Sequence, residues 1–347
     1  MKRRTFMQGL AGSAIVLVGQ GASGARTQSQ LRKVTIAIAG DALHYFPFYV
    51  ARGAGHFTEE GLEVDWVNLN SGPRQAAAVM GGSSEFAPMG LLHVIKSAVE
   101  GANMVAVSSV FSGYGMSLVL SNEAISKSGI AIDMPIDEKV KRLRGLKVAI
   151  SSPGGSSDLL IRTLMRKRGM DPDKEMQLQT IGNGAAMLAA FERKIVEGFV
   201  WTAPFPEIVE SRGLGKNVID PFRKEVPELA PVLYVIMATT RQMLTKQPDL
   251  IFAATRAVTK ALKFGREKPE ETRAIVRKYF PELDASIADR VIDAYRLATA
   301  SNPMITPENV TGTAEWMSLA APKPISVKYE DVVAPEIAKR AAAEILS

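Results

Sequence analysis

The chain contains no cysteine. That excludes disulfides, a cysteine nucleophile, thiolate metal sites and the acceptor of a lipid anchor. Histidine is nearly as scarce: His44, His56 and His93 are the only three in 347 residues. They form no His-Glu-x-x-His pair and no cluster at metal-ligand spacing, so no metal is expected. No Gly-x-Ser-x-Gly elbow occurs either. Carboxylates are plentiful, but runs such as Glu267–Glu271 read as solvated helix faces. No cofactor is expected and the chain does not read as an enzyme. Basic patches interleaved with aromatics are also missing, which argues against a nucleic-acid partner. No apolar run reaches the roughly 20 residues that a membrane-spanning helix needs.

The first residues read as an address. Lys2-Arg3-Arg4 precede a short apolar core, Leu10 to Val18, and Ser23 and Ala25 place small residues before Arg26. Arg3-Arg4-x-Phe6 resembles a twin-arginine export signal. Residues 1–25 are therefore expected to be a cleaved export leader, and the remainder a soluble periplasmic protein. Losing Lys2, Arg3 and Arg4 lowers the formal charge from +6 to +3.

Strand and helix patterns then alternate. Val34, Ile36 and Ile38 alternate in a first strand, and Pro47 opens a helix over 46–54. Further strands are expected at 62–69, 86–89, 104–110 and 117–120, with helices at 73–80 and 91–99. Residues 124–144 read as a polar connection around one short helix. A second series follows: strands at 147–151, 176–181 and 198–201, helices at 157–168 and 185–194. The rhythm predicts α/β lobes with largely parallel sheets. Beyond Ala238 the chain turns helical, with Ile251, Ala254, Val258 and Leu262 on one face. If this tail returns to the first unit, lobe one is discontinuous (33–118 and 236–347) and lobe two spans 119–235.

Three strand ends run into small polar turns that open helices: Asn70-Ser71-Gly72-Pro73, Ser151 to Ser157, and Gly182-Asn183-Gly184-Ala185. Ligands in open α/β sheets gather at such ends, and free helix N–H groups there attract anions. Each turn alone is also an ordinary helix cap. The Ser151–Ser157 turn has neither a following Gly-Lys-Ser/Thr nor a G-x-G-x-x-G run, so it is not a nucleotide loop. A fourth strand end carries His44, Tyr45, Phe46 and Phe48; the two Phe read as core and His44 as a contact. Trp201 closes the last strand of lobe two, as core or as a cleft wall.

Gly55-His56-Phe57-Thr58-Glu59-Glu60-Gly61-Leu62-Glu63-Val64 resembles a segment of ABC-transporter substrate-binding proteins of the nitrate/sulfonate/taurine type. So do Leu143-Arg144-Gly145-Leu146-Lys147-Val148-Ala149 with Pro153-Gly154-Gly155-Ser156, and Arg168-Gly169-Met170-Asp171-Pro172. The resemblance covers about residues 33–240. It implies a two-lobed type II periplasmic-binding-protein fold with a helical C-terminal tail, a monomer that hands a small anion to an ABC permease. It also implies a ligand site: His44 and Tyr45 after the first strand, Ser71 and Gly72 after the second, Met89 and Gly90 after the third. Lobe two would add Ser152, Gly154, Gly155, Ser156, Ser157 and Trp201, with Asn183 from the neighbouring turn. Members that bind thiamine-precursor pyrimidines carry a comparable histidine, but in an Asn-x-x-His setting; here Asp41 replaces the Asn. A pyrimidine-precursor binder, a related pyrimidine synthase, or a sensor's partner are the alternatives.

Overall fold

The strand patterns resolve into three sheets, of two, three and five strands. The computed structural model describes residues 30–347, so the expected export leader lies outside the described residues. Leu31–Ser347 pack as one unit. The five-stranded sheet forms the core of one lobe, and the two- and three-stranded sheets, joined by the Ile36–Phe86 bridge, that of the other. β1 (Arg32–Ile38) and β2 (Leu62–Asn68) pair in parallel, Val34 opposite Val64. β3 (Ala87–Met89) follows, bridged to β1 through Phe86 and Ile36, and then β4 (Met104–Phe111). The chain next builds a five-stranded sheet from β5 (Ser117–Ser121), β6 (Lys147–Ile150), β7 (Gln177–Thr180), β8 (Gly198–Trp201) and β9 (Gly215–Ile219), in the order β7-β6-β8-β5-β9. It returns as β10 (Val235–Thr240), which lies between β3 and β4.

Two expectations are corrected here. The sheets are not largely parallel: β10 runs antiparallel to β3 and β4, and β5 antiparallel to β8 and β9 in an otherwise parallel sheet. Apolar periodicity gives the face of a strand but carries no direction, and direction here follows from where the two lobe crossings re-enter. The polar connection holds two short helices rather than one, and β10 extends the strand region to Thr240.

In lobe one, α1 (Phe46–Gly53) and the one-turn α2 (His56–Glu59) link β1 to β2, while α3 (Gly72–Met80) and α4 (Leu91–Val99) follow β2 and β3. Lobe two carries α5 (Asn122–Ser128), α6 (Ile136–Lys141), α7 (Ser156–Lys167), α8 (Pro172–Glu175), α9 (Gly184–Glu192) and α10 (Phe205–Ser211). The tail comprises α11 (Arg241–Lys246), α12 (Pro248–Glu267), α13 (Pro269–Arg277), α14 (Ala285–Leu297), α15 (Pro307–Ser318), α16 (Tyr329–Val332) and α17 (Pro335–Ile345). Proline opens the tail helices α12, α13, α15 and α17, where its missing N–H costs nothing. The expected face of α12 is buried: Ile251, Ala254, Val258 and Leu262 pack inward. α12 lies against α1, and α17 against α12 and β4, so the tail covers lobe one.

Candidate ligand site between the lobes

The candidate site is assembled from the ends of strands in both lobes. β1 ends at Ile38 and the chain turns through Gly40, whose φ of +131° only glycine adopts freely. A Cβ there would also press on Asn183, 3.1 Å away. One 3₁₀ turn then presents His44 and Tyr45, both buried. The Tyr45 hydroxyl accepts from the Ala39 N–H at 3.3 Å and bonds Gln75. Gln75 is itself fixed by donating to the Ala37 and Pro88 carbonyls at 3.0 and 2.8 Å.

Four helices start at one small cavity. α1 begins after Tyr45, α3 at Gly72, α4 after Gly90 and α7 at Ser156, and all four residues line it. None of the four starts is capped by a side chain. Away from the cavity, Ser121, Asp171, Asn183, Thr240 and Thr306 cap their helices, while α2, α6, α10, α12, α13, α16 and α17 also start without a side-chain cap. What sets these four apart is place: four helix N-termini border one cavity, an arrangement that favours an anion. In α1, however, the Phe46 N–H is taken by the Leu43 carbonyl, and Pro47 and Pro73 have none to give. Gly90 permits the approach: a Cβ there would stand 3.4 Å from the Ser156 Oγ of the other lobe.

The Ser151–Ser157 turn divides its labour. Ser157 is fully buried; its Oγ accepts from the Ser151 N–H and bonds the Ser151 hydroxyl, both at 2.9 Å. Gly154 donates its N–H to Asp158 at 2.8 Å. Gly155 packs against the Ser151 and Ser152 hydroxyls. Ser157, Gly154 and Gly155 thus shape the turn, while Ser156 and Ser151 face the cavity. Ser152 lies behind them with its buried Oγ unpartnered.

Of the expected residues, His44, Tyr45, Gly72, Met89, Gly90, Ser156 and Trp201 line this cavity. Ser71 precedes α3 and does not. Asn183 sits instead in a wider depression of about 390 Å³ beside Asp41, Glu192, Arg212, Tyr279 and Glu282. There its Nδ2 donates to Asn70 Oδ1 at 2.6 Å, tying the two lobes at the rim. That depression is the larger space, but three carboxylates against one guanidinium make it a poor anion site. Arg74 is exposed and does not reach the cavity lining.

Reasoning from strand ends missed His93, Gln75, Met116 and Tyr234, which also line the cavity. His93 lies one turn into α4, its ring so close to α3 that a Cβ on Gly72 would be 2.2 Å from its Nε2. The available signal was scarcity: two of the three histidines meet here. Met116 and Tyr234 come from the two lobe crossings, and Tyr234 packs edge-on to His44 with ring centroids 5.1 Å apart. Tyr114, in the first crossing, donates its hydroxyl to the Ser156 carbonyl at 3.0 Å.

The lining contains no Asp, Glu, Lys or Arg. Burial pushes His44 down to about 3, and burial with the Lys96 charge pushes His93 down to about 4, so both rings are neutral at pH 7. Burial raises the Tyr45 and Tyr234 hydroxyls above their ordinary value. His44 Nδ1 and Trp201 Nε1 are buried without partners. The Trp201 nitrogen lies against Gly184. The cavity is small, about 30 Å³.

Neutral buried histidines bear on stability. Each binds a proton in the unfolded chain below its ordinary 6.5 and in the folded protein only near 3 or 4. The unfolded state is therefore favoured as pH falls from 6.5 toward 4, by on the order of 1 kcal/mol per pH unit per ring. Urea unfolding of the ligand-free protein should give a lower midpoint at pH 5.0 than at 6.5. Equal midpoints would contradict the neutral, buried pair.

The NMT1-like family model matches residues 28–279. The chain belongs to that family. A relative from Bacillus subtilis (strain 168), named as a binding protein, is 22% identical over 328 residues, covering 92% of each chain. Among solved structures, a protein from Bordetella bronchiseptica RB50 superposes with a TM-score of 0.80 at 19% identity, covering 92% of this chain and 99% of that one. The alkanesulfonate-binding protein SsuA of Xanthomonas axonopodis pv. citri, solved with bound MOPS, gives 0.68 at 13% identity, covering 88% of this chain and 99% of the other. This NMT1-like chain thus has the two-lobed periplasmic-binding-protein fold, and the Bacillus subtilis and Xanthomonas relatives carry binding-protein names. Among the described residues no helix is long and apolar enough to cross a membrane, and no group of three or more His, Asp or Glu is placed to hold a metal ion.

Proposed function

We propose that this protein is the solute-binding component of an ABC importer, capturing a small anion between its lobes and delivering it to a permease. The observation that carries the reading is the convergence of four uncapped helix starts, from both lobes, on one charge-free cavity that also holds the unpartnered His44 Nδ1. Such a site offers directed donors without a countercharge, so the anion is held and can still be released. Sulfonate, nitrate and carboxylate all fit this chemistry, and the alkanesulfonate-binding relative favours the first. The protein works in the periplasm as a monomer, exported through the twin-arginine route. Its lobes are 33–118 with 236–347, and 119–235. The relatives' names favour binding over the pyrimidine synthase alternative.

A ligand touching both lobes binds the closed form better and shifts the population toward it. Melting temperatures measured with ethanesulfonate, nitrate and acetate test this, because a ligand of the folded state stabilises by RT ln(1 + [L]/Kd). At least one should raise the melting point progressively with concentration; no shift with any small anion would reject the reading.

Ser156→Ala should weaken that ligand about tenfold, the worth of about one hydrogen bond, while leaving melting of the free protein nearly unchanged. Ser157→Ala should do the reverse: its hydroxyl holds the turn, so stability falls first. Equal affinity in the Ser156→Ala variant would remove the Ser156 hydroxyl from the site.

A further inference from the structure

Two histidines reach the same cavity from different elements, His44 from the turn after β1 and His93 from the first turn of α4. Both are 5% exposed. No carboxylate shares the lining, so no counterion for a protonated ring faces the cavity from the protein itself. An anion is the missing counterion. Conversely, the anion finds neutral donors and helix ends but no fixed positive charge.

We infer that the anion enters this cavity together with a proton, which is held on His44 or His93, so that the occupied site is an ion pair instead of a lone anion. This rests on the anion-binding reading above. The step is a proton transfer alone: a solvent hydronium gives up one O–H bond, a ring N–H bond forms when the anion arrives, and the reverse occurs when it leaves. The His44 Nδ1, buried and unpartnered, is the position that gains a partner.

The titratable surroundings leave these rings as the sites of uptake. Around His44 stand Tyr45 and Tyr234 in ring contact, Tyr49 and Arg52 on α1, and Tyr295 on α14 beyond Ala203. The tyrosines named for a shift all move upward, away from physiological pH. Asp41, three residues before His44, lines the wider depression instead. Around His93 stand Lys96 on its own helix and exposed Arg74 on α3, with the Asp158–Arg162 pair on α7. Glu315 on α15 and Glu330 and Asp331 on α16 belong to the elements packed on α4. Of all these only Tyr45 and Tyr234 line the cavity.

The sign follows from burial. Without an anion the rings stay neutral down to about 3 and 4. An opposite charge within about 4–6 Å raises such a group by about 1–3 units. Affinity must therefore strengthen as pH falls through the raised value.

The test uses ethanesulfonate, which stays a monoanion throughout, and cationic buffers that do not compete. Its Kd should fall threefold or more between pH 8.0 and 5.0. An unbuffered pH-stat titration near pH 6 should record proton uptake as ligand is added. The His44→Gln/His93→Gln variant should bind more weakly and with one Kd across that range; if it fails to fold, the proton uptake of the unaltered protein still decides. Binding of ethanesulfonate with unchanged Kd and no uptake overturns this inference and leaves the anion site standing. Persisting pH dependence in the variant moves the proton elsewhere, to Asp41 foremost, and also overturns it. If no small anion binds at any pH, both readings fall.

Discussion

Gly72→Ala should weaken ligand binding at least a hundredfold while the melting temperature changes by only a few degrees. The new Cβ would lie 2.2 Å from His93 Nε2 and 2.8 Å from its Cε1, far inside contact distance. The backbone at Gly72 does not have positive φ, so alanine itself is tolerated in the first turn of α3. Rigidifying the unfolded chain even returns about 0.4–1 kcal/mol. The ring is what must yield. It borders a cavity of about 30 Å³, and moving an imidazole into that space fills it. A shift of about 1 Å at a site of fixed geometry costs on the order of a hundredfold. Calorimetry with ethanesulfonate beside a thermal melt measures both halves. Unchanged affinity would mean that His93 and α3 do not border the ligand.

The second large effect falls on the fold of lobe two. Gly198 lies in β8, near the middle of the five-stranded sheet, and Gly215 in β9 on the other side of β5. A Cβ on Gly198 would stand 2.4 Å from the Val119 carbonyl oxygen, and one on Gly215 2.2 Å from that of Leu120. These obstacles are backbone, not the far ends of flexible side chains. β5 cannot retreat without loosening its ladders to both neighbours. Gly198→Ala or Gly215→Ala should each destabilise by about 3 kcal/mol, read as a lower urea midpoint. A loss below about 0.5 kcal/mol, the range of an ordinary surface substitution, would contradict the close packing of β5 between β8 and β9.

The elements that repeat a simple period were legible from the residues. Alternation in Val34, Ile36 and Ile38 and the face Ile251, Ala254, Val258 and Leu262 both correspond to buried positions or elements at those places. Strand direction was not, because Met104–Phe111 and Val235–Met237 are simply buried runs, and only the return of the chain sets them antiparallel. β9 escaped notice because Gly-Lys-Asn-Val-Ile mixes polar and apolar residues and its pairing partner β5 is distant in sequence.

The candidate site divides along the same line. Turns rich in small residues mark where helices begin, and Gly72, Gly90 and Ser156 do border the cavity. Which serine of 151–157 faces it is not local information: Ser156 and Ser157 are chemically identical neighbours, and one is held inward by Ser151. His93 was hidden inside an apolar helix pattern. Tyr234 and Met116 become wall residues only because both lobe crossings pass the cavity. Asn183, a helix cap by its sequence setting, is a cap in the structure and also a tie across the rim.

The most direct measurement is a crystal structure grown with 3-bromopropanesulfonate and recorded at the bromine edge. The account predicts an anomalous peak in the cleft, with the sulfonate within hydrogen-bond distance of His44 Nδ1 and the first turn of α7. A peak confined to the depression beside Asn183 and Tyr279, or a sulfonate that touches one lobe only, would contradict it.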